Sequence, residues 1–163
     1  MNIGGSVLIV DGDQPTRQQL AEMLSDKLPG VHVDRAAHAQ DAIHKASQIR
    51  YDLFIIGLEL AGIDGLDTAS ALGSINNYEN TPVIFMSEPG GKRELDTRYP
   101  GVEYFQKPIK GRGAYFLSRV ERFLLLMHNL TVMQDTVACV SKTKLEFEET
   151  YYANGNGNPS RTD

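Results

Sequence analysis

Apolar residues follow two alternating patterns along this chain. Short continuous runs of mainly aliphatic residues are separated by longer stretches in which leucine, methionine and alanine recur every three or four positions. Continuous runs are typical of strands that are buried on both faces, and the spaced pattern is typical of amphipathic helices. The pattern predicts five strands, at residues 7–10, 31–33, 53–56, 83–86 and 102–105.

Helices are predicted between these strands. Pro15 stands near the start of the first helix, and Pro29 with Gly30 ends it. Two further helices are predicted at residues 39–49 and 66–75, whereas residues 92–99 have room for two turns at most because proline and glycine surround them. The alternation predicts an α/β domain with a flavodoxin-like, doubly wound sheet of five parallel strands.

The last helix differs from the others in length. No helix breaker occurs between about Gly113 and Glu149, which corresponds to about 55 Å of helix. Apolar residues recur in it at alternating spacings of four and three, the seam of a coiled coil, over about two heptads: Leu126, Leu130, Met133, Val137 and Val140. The alternative is an amphipathic helix that packs against its own domain.

Three segments follow from these patterns. Residues 1–125 are predicted to form the α/β domain, and residues 126–150 an extended signalling helix that forms a coiled coil. Residues 151–163 contain alternating asparagine and glycine and nothing apolar to bury after Ala153. We expect this last segment to be a disordered tail or a linker.

Composition narrows the class of protein. In 163 residues, 41% hydrophobic and 23% charged residues are typical of a globular domain. The net charge of -5 and the scattered basic residues argue against nucleic acid as a partner. The single cysteine, the lack of a signal sequence and the lack of an uninterrupted apolar run of membrane-spanning length predict a cytoplasmic protein that does not span a membrane.

Polar residues and glycines occupy the positions directly after the strands. Ligands of parallel sheets bind at the carboxyl ends of the strands, so these positions form the candidate site. They are Asp11, Gly12 and Asp13 after the first strand, Gly57 and Glu59 at the end of the third, Ser87 after the fourth and Lys107 after the fifth.

The order and spacing of these residues resemble the receiver domain of response regulators, the CheY-like superfamily of two-component signalling. The resemblance covers about residues 5–125 and is strongest at residues 51–66. In that family an aspartate at the end of the third strand accepts a phosphoryl group, two acids after the first strand hold Mg²⁺, and a lysine after the fifth contacts the phosphoryl oxygens. At these positions the chain has Gly57, Asp11 with Gly12, and Lys107.

The resemblance therefore implies a degenerate pseudo-receiver. An aspartyl-phosphate requires a carboxylate nucleophile, and glycine has no side chain. We expect no catalytic residue and no cofactor. Two alternatives stay open: a response regulator that accepts the phosphoryl group on Asp13 or Glu59, and a receiver that binds a small ligand. In-line transfer tolerates small errors only, and a shift along the loop moves a carboxylate by a whole residue.

Other family positions are retained. Ser87 matches the hydroxyl that reports phosphorylation and Tyr104 the aromatic switch, although a loop cap and a half-buried strand aromatic are the alternative interpretations. With two acids missing, Lys107 is predicted to pair with Asp11, because a buried ammonium needs a partner. We expect no metal site, the weak alternative being a cation held by Asp11 and Asp13.

Together these features predict a phosphorylation-independent interaction module of two-component, or phosphorelay, signal transduction. It is expected to form a homodimer through its C-terminal helix and to couple through that helix to a protein partner or to a covalently linked output domain.

Overall fold

A five-stranded parallel sheet forms the centre of the fold. The structure is a computed structural model that describes residues 3–75, 78–90, 98 and 102–153. The strand order is β2-β1-β3-β4-β5, which confirms the predicted flavodoxin-like fold. The strands are β1 at Gly5–Val10, β2 at Val31–Ala36, β3 at Leu53–Gly57, β4 at Val83–Ser87 and β5 at Glu103–Gln106.

Four helices are described: α1 at Gln14–Lys27, α2 at Ala39–Gln48, α3 at Gly65–Gly73 and α4 at Gly113–Ala153. The side chains of Asp13, His38 and Asp64 accept hydrogen bonds from the backbone at the starts of α1, α2 and α3, which satisfies N–H groups that have no partner inside the helix. The helix predicted at residues 92–99 lies outside the described residues, apart from Arg98.

The core has two layers, because alternate residues of each strand face opposite sides of the sheet. Val7 and Ile9 pack with Leu20 and Leu24 of α1 and with Phe116 of α4. On the other face, the next residues of β1 pack against α2 and α3. Strands covered on both faces explain the continuous apolar runs that predicted them.

Glycine brings α3 close to the end of β3. A Cβ on Gly65 would overlap the carbonyl oxygen of Gly57, and the Gly65 N–H donates to the Leu58 carbonyl at 2.9 Å. Gly57 is paired with Met86 in the sheet. The carboxyl end of β3 is thereby held between β4 and the first turn of α3.

The chain divides into two compact units, residues 1–127 and the residues from His128 onward. Helix α4 contributes Phe116, Val120, Leu124 and Met127 to the buried residues of the chain. By length and composition alone, Gly113–Glu146 could cross a membrane. That match is weak, since part of the segment belongs to the domain core and its second half carries Asp135, Lys142 and Glu146.

Candidate functional site

Lys107 and Asp11 form a buried ion pair at the carboxyl ends of the strands. The Lys107 Nζ lies 2.6 Å from the Asp11 Oδ2, and the two side chains are only 7% and 2% exposed. Asp11 follows β1 directly, and Lys107 follows β5, held there by its backbone N–H bond to the Ser87 carbonyl at 2.8 Å. The ion pair predicted from the charge count is confirmed.

Two hydrogen bonds, one to its side chain and one to its backbone, position Asp11. Its Oδ1 accepts a hydrogen bond from the Asp13 N–H at 2.9 Å. The Arg17 guanidinium donates to the Asp11 carbonyl oxygen at 2.5 Å. The Oδ2 has the ion contact with Lys107 but no well-aligned hydrogen bond among the described residues. Its stabilisation therefore depends on the Lys107 charge, since a buried carboxylate without a partner is strongly unfavourable.

The Asp11 carboxylate fills the space beside Gly57. A Cβ built on Gly57 would lie 2.6 Å from the Asp11 Oδ2 and 2.9 Å from its Cγ, closer than carbon and oxygen atoms can approach without a shift. Gly12 is less crowded, because a Cβ there would meet only the Glu59 carbonyl oxygen, at 3.3 Å. A side chain at residue 57 is thus incompatible with the present position of Asp11.

Asp13 and Glu59 have other roles at the surface. The Asp13 carboxylate accepts from the Thr16 N–H at 2.9 Å and from the Thr16 hydroxyl at 2.6 Å, which caps α1. These hydrogen bonds from Thr16 lower the pKa of Asp13 below its ordinary value. The exposed Glu59 carboxylate lies 3.3 Å from the Glu88 N–H, which donates to it.

The hydroxyl groups of Ser87 on β4 and Tyr104 on β5 lie close together. Ser87 is fully buried, and its hydroxyl donates to the Glu88 carbonyl oxygen at 2.6 Å. The Tyr104 hydroxyl is 3.4 Å from the Ser87 oxygen. Because the Ser87 hydrogen is used on Glu88, Tyr104 is the donor in this longer contact. The two side chains that the sequence singles out are brought together.

The side chains at this position do not fit a Mg²⁺ site. Mg²⁺ requires near-octahedral oxygen ligands, usually with one or two carboxylates. Gly12 and Gly57 supply no side-chain oxygen, and the Lys107 ammonium already stands at the Asp11 Oδ2. Within the described part of the chain, no group of three or more histidine, cysteine, aspartate or glutamate side chains could hold a metal ion.

Sequence reasoning did not identify Arg17 as part of this site. Its guanidinium reaches back from the first turn of α1 to the Asp11 carbonyl. The only signal in the sequence is a basic residue one turn after the Asp13 cap, and that position on a helix is more often solvated. Arg17 therefore contributes to the placement of Asp11, which only the fold reveals.

Comparisons with known proteins place the chain in a family. Residues 7–111 match the response regulator receiver domain, which is more than half of the chain. The chain therefore belongs to the response regulator receiver family.

Two relatives that are response regulators agree with this membership. The chain is 25% identical over 113 residues to RpfG, a cyclic di-GMP phosphodiesterase response regulator of Xanthomonas campestris, covering 68% of this chain and 30% of that protein. It is 29% identical to an uncharacterized response regulatory protein of Yersinia pestis, covering 76% of this chain and 51% of the relative. The chain thus spans between about a third and a half of these relatives.

Two solved structures show the fold. CheY4 of Vibrio cholerae, a chemotaxis protein, has a TM-score of 0.62 at 24% identity and covers 74% of this chain and 98% of its own. A fusion protein that carries the trimeric coiled coil of yeast Spc42 has a TM-score of 0.65 at 25% identity, covering 92% of this chain and 97% of the fusion.

Proposed function

We propose that this chain is a pseudo-receiver, a receiver domain that signals by protein–protein association without accepting a phosphoryl group and without acting as an enzyme. One observation carries the proposal. The Asp11 carboxylate occupies the space beside Gly57 and pairs with the Lys107 ammonium, so the two charged groups of the pocket are satisfied by each other.

The chemistry of phosphoryl transfer is not available to this pocket. An acyl phosphate forms when a carboxylate attacks phosphorus, and a metal ion neutralises the oxygens being transferred. Gly57 offers no nucleophile, and the pocket does not fit Mg²⁺. Asp13 is used as a helix cap and Glu59 lies at the surface beside the Glu88 N–H. Neither carboxylate is held next to Lys107 in the way that Asp11 is.

Incubation with acetyl phosphate and Mg²⁺ tests this part of the proposal. The intact mass is expected to stay unchanged, because no carboxylate is positioned for in-line attack. A phosphoryl adduct would add about 80 Da and would contradict the proposal. Asp13→Ala and Glu59→Ala would then show which carboxylate carries it.

The second half of the proposal concerns α4. Its seam residues are well exposed, with Met133 and Val137 each 65% exposed and Val140 63%. A run of exposed apolar side chains on one helix face is typical of an interaction surface, and the spacing of this run suits another helix of the same kind. The likeness to a fusion protein that carries the trimeric coiled coil of yeast Spc42 covers 92% of this chain, which supports a coiled-coil role for α4 without fixing the number of strands. We propose that a second copy of the chain pairs along this seam.

Charge substitutions on the full chain test the seam. Met133→Glu with Val137→Glu places two carboxylates in it, and the mass in solution is expected to fall from that of a dimer to that of a monomer. Thr131→Glu with Ala138→Glu is the matched control, because these two exposed residues lie seven positions apart on the side of the helix away from the seam. If both double variants keep the mass of the unmodified chain, or if that chain is itself monomeric, this half of the proposal is wrong.

The paired helices would also connect the receiver domain to the part of the signalling system that produces the response. The relatives are longer than this chain, and one of them is a phosphodiesterase response regulator. We propose that α4 couples the domain to a protein partner or to a covalently linked output domain. Lys107 precedes the start of α4 by only a few residues. A short loop therefore joins this residue of the pocket to the helix.

A further inference from the structure

Strand β2 forms one edge of the sheet. It stands first in the strand order and pairs with β1 along Val31–Ala36, so its other side has no neighbouring strand among the described residues. An edge of this kind presents backbone N–H and C=O groups that a further strand can bind. Neither the pocket of Lys107 nor α4 includes this edge, so its role is separate from the pseudo-receiver proposal.

Backbone hydrogen bonds show which residues of β2 face the open edge. The Ala36 carbonyl oxygen accepts from the Asp11 N–H at 3.1 Å. Because Asp11 directly follows β1, the backbone groups of Ala36 face β1. Successive residues of a strand direct their backbone groups to opposite sides. The backbone groups of Val31, Val33 and Arg35 therefore face away from β1.

Two of these outward groups already have partners inside the chain. The Val31 N–H donates to the Leu28 carbonyl at 3.1 Å, and the Lys45 ammonium donates to the Arg35 carbonyl at 2.6 Å. The described residues provide no hydrogen-bond partner for the Val31 carbonyl, for either backbone group of Val33 or for the Arg35 N–H. A lysine at an edge is a common protection against strand pairing, but Lys45 leaves Val33 open.

The open groups match those of a second β2 in antiparallel orientation. In a pairing centred on Val33, the two Val33 residues exchange N–H···O=C bonds, and the Arg35 N–H of each chain donates to the Val31 carbonyl of the other. The other groups that this pairing places opposite each other are the Val31 N–H and the Arg35 carbonyl, which are the two that the chain already satisfies. Every open backbone group of the edge thereby gains a partner.

The side chains beside Val33 are complementary in the same register. His32 of each chain lies opposite Asp34 of the other, and opposite charges at directly facing positions stabilise a strand pair. Within one chain, the His32 Nε2 already lies 3.0 Å from the Asp34 Oδ2, so the pair combines two imidazoles with two carboxylates on one face. On the other face, the partly buried Val33 side chain meets its counterpart.

We propose that the open edge of β2 binds the same edge of a second copy of this chain, antiparallel and centred on Val33. The result is a sheet that continues across two domains around a twofold axis. Because the α4 seam is a different surface, chains that pair through their helices would also join edge to edge into larger assemblies. A contact this short is weak, with a dissociation constant of about 1 mM, so mass measurements in dilute solution report the seam.

Amide-proton exchange, measured by NMR on the full chain, tests the pairing. The Val33 and Arg35 N–H groups should exchange with water about twofold more slowly at about 2 mM chain than at about 0.05 mM, because pairing places them in hydrogen bonds. The His32 and Asp34 N–H groups already face β1 and should not change. The same result is expected in the double glutamate variant of the α4 seam, so the test does not depend on that seam. Equal exchange of Val33 and Arg35 at both concentrations would overturn the proposal.

Substitutions at His32 test the register. His32→Asp places a carboxylate opposite Asp34 of the second copy and should abolish the concentration dependence, whereas His32→Lys places a permanent positive charge there and should strengthen it. The His32 side chain is 57% exposed, so neither variant disturbs the core. His128→Asp makes the same change at an exposed residue of α4 and should leave the dependence intact. A dependence that survives in His32→Asp, or that is lost in His32→Lys, contradicts the assignment.

Discussion

The pocket beside Gly57 and the part of α4 after Met127 are opposite in character. In the pocket, two charged side chains are almost fully buried and each compensates the other. On α4, apolar side chains that would ordinarily be buried are more than half exposed, Met133 and Val137 among them. In the pocket the two charges are buried and paired with each other, whereas the helix exposes apolar side chains to solvent.

The two regions differ in what a binding partner would have to displace. A ligand or phosphoryl group that used the pocket would have to displace an ion contact of 2.6 Å and a carboxylate fixed by the Asp13 N–H. A partner that used α4 would instead cover apolar surface, which is favourable from the outset. The proposed association through the helix would therefore displace fewer existing contacts than a ligand that entered the pocket.

The largest expected effect comes from breaking the ion pair on one side. Lys107→Met leaves Asp11 buried without a counter-charge, and the free energy of unfolding should fall by about 3–5 kcal/mol. Urea unfolding measures this loss. Lys142→Ala is the control, since its exposed ion pair with Glu146, at 4.0 Å, contributes little. Equal effects of the two substitutions would show that the buried pair does not stabilise the pocket.

Transferring the carboxylate from residue 11 to residue 57 tests whether Asp11 fills the space that a side chain at residue 57 would occupy. Asp11→Ala should cost about 3 kcal/mol of unfolding free energy by leaving Lys107 unpaired. Adding Gly57→Asp to that variant should recover about 1 kcal/mol or more, because the new carboxylate enters the vacated space beside Lys107. Purely additive losses in a double-mutant cycle of urea unfolding would contradict the overlap.

Because Gly57 is more crowded than Gly12, an alanine substitution should destabilise the chain more at Gly57. Gly57→Ala is expected to lower the free energy of unfolding by about 1–3 kcal/mol, because its Cβ would overlap the Asp11 carboxylate and force it to shift. Gly12→Ala should cost less, since its nearest contact is 3.3 Å from the Glu59 carbonyl. Thermal unfolding of both variants measures the order, and a reversed order would mean that Asp11 adjusts freely.

The smallest effect provides a reference outside the pocket. The Tyr51 hydroxyl donates to the Asp34 Oδ2 at 2.6 Å. Burial raises the pKa of Asp34, but the hydrogen bonds from Tyr51 and His32 outweigh burial and hold it below its ordinary value of 3.8. Tyr51→Phe should lower the free energy of unfolding by about 1 kcal/mol at neutral pH.

The pH dependence of this effect has a definite sign. A carboxylate with a lowered pKa contributes stability that is fully present above its unfolded value, about 3.8, and lost as the pH falls through its folded value. The difference between the unmodified chain and Tyr51→Phe should therefore shrink below about pH 4. Urea unfolding across this range measures it, and a constant difference would exclude the Asp34 carboxylate as the cause.

The fold could be predicted because its pattern is local. Continuous apolar runs marked the strands, and the predicted long helix appears as Gly113–Ala153. The Lys107–Asp11 contact was also predictable, since two buried opposite charges at neighbouring strand ends need each other. By contrast, the overlap at Gly57 and the reach of Arg17 depend on distances of a few tenths of an ångström, which no spacing in the sequence encodes.

The overlap between Gly57 and Asp11 also constrains how this chain can change by mutation. Placing an aspartate at residue 57 in one step would put two carboxylates into a space that now holds one, so that substitution meets both a steric and an electrostatic barrier. Phosphoryl chemistry on an aspartate at residue 57 would also require Asp11 to move and a further acid at Gly12. The buried ion pair therefore makes a carboxylate at residue 57 unfavourable unless Asp11 changes with it.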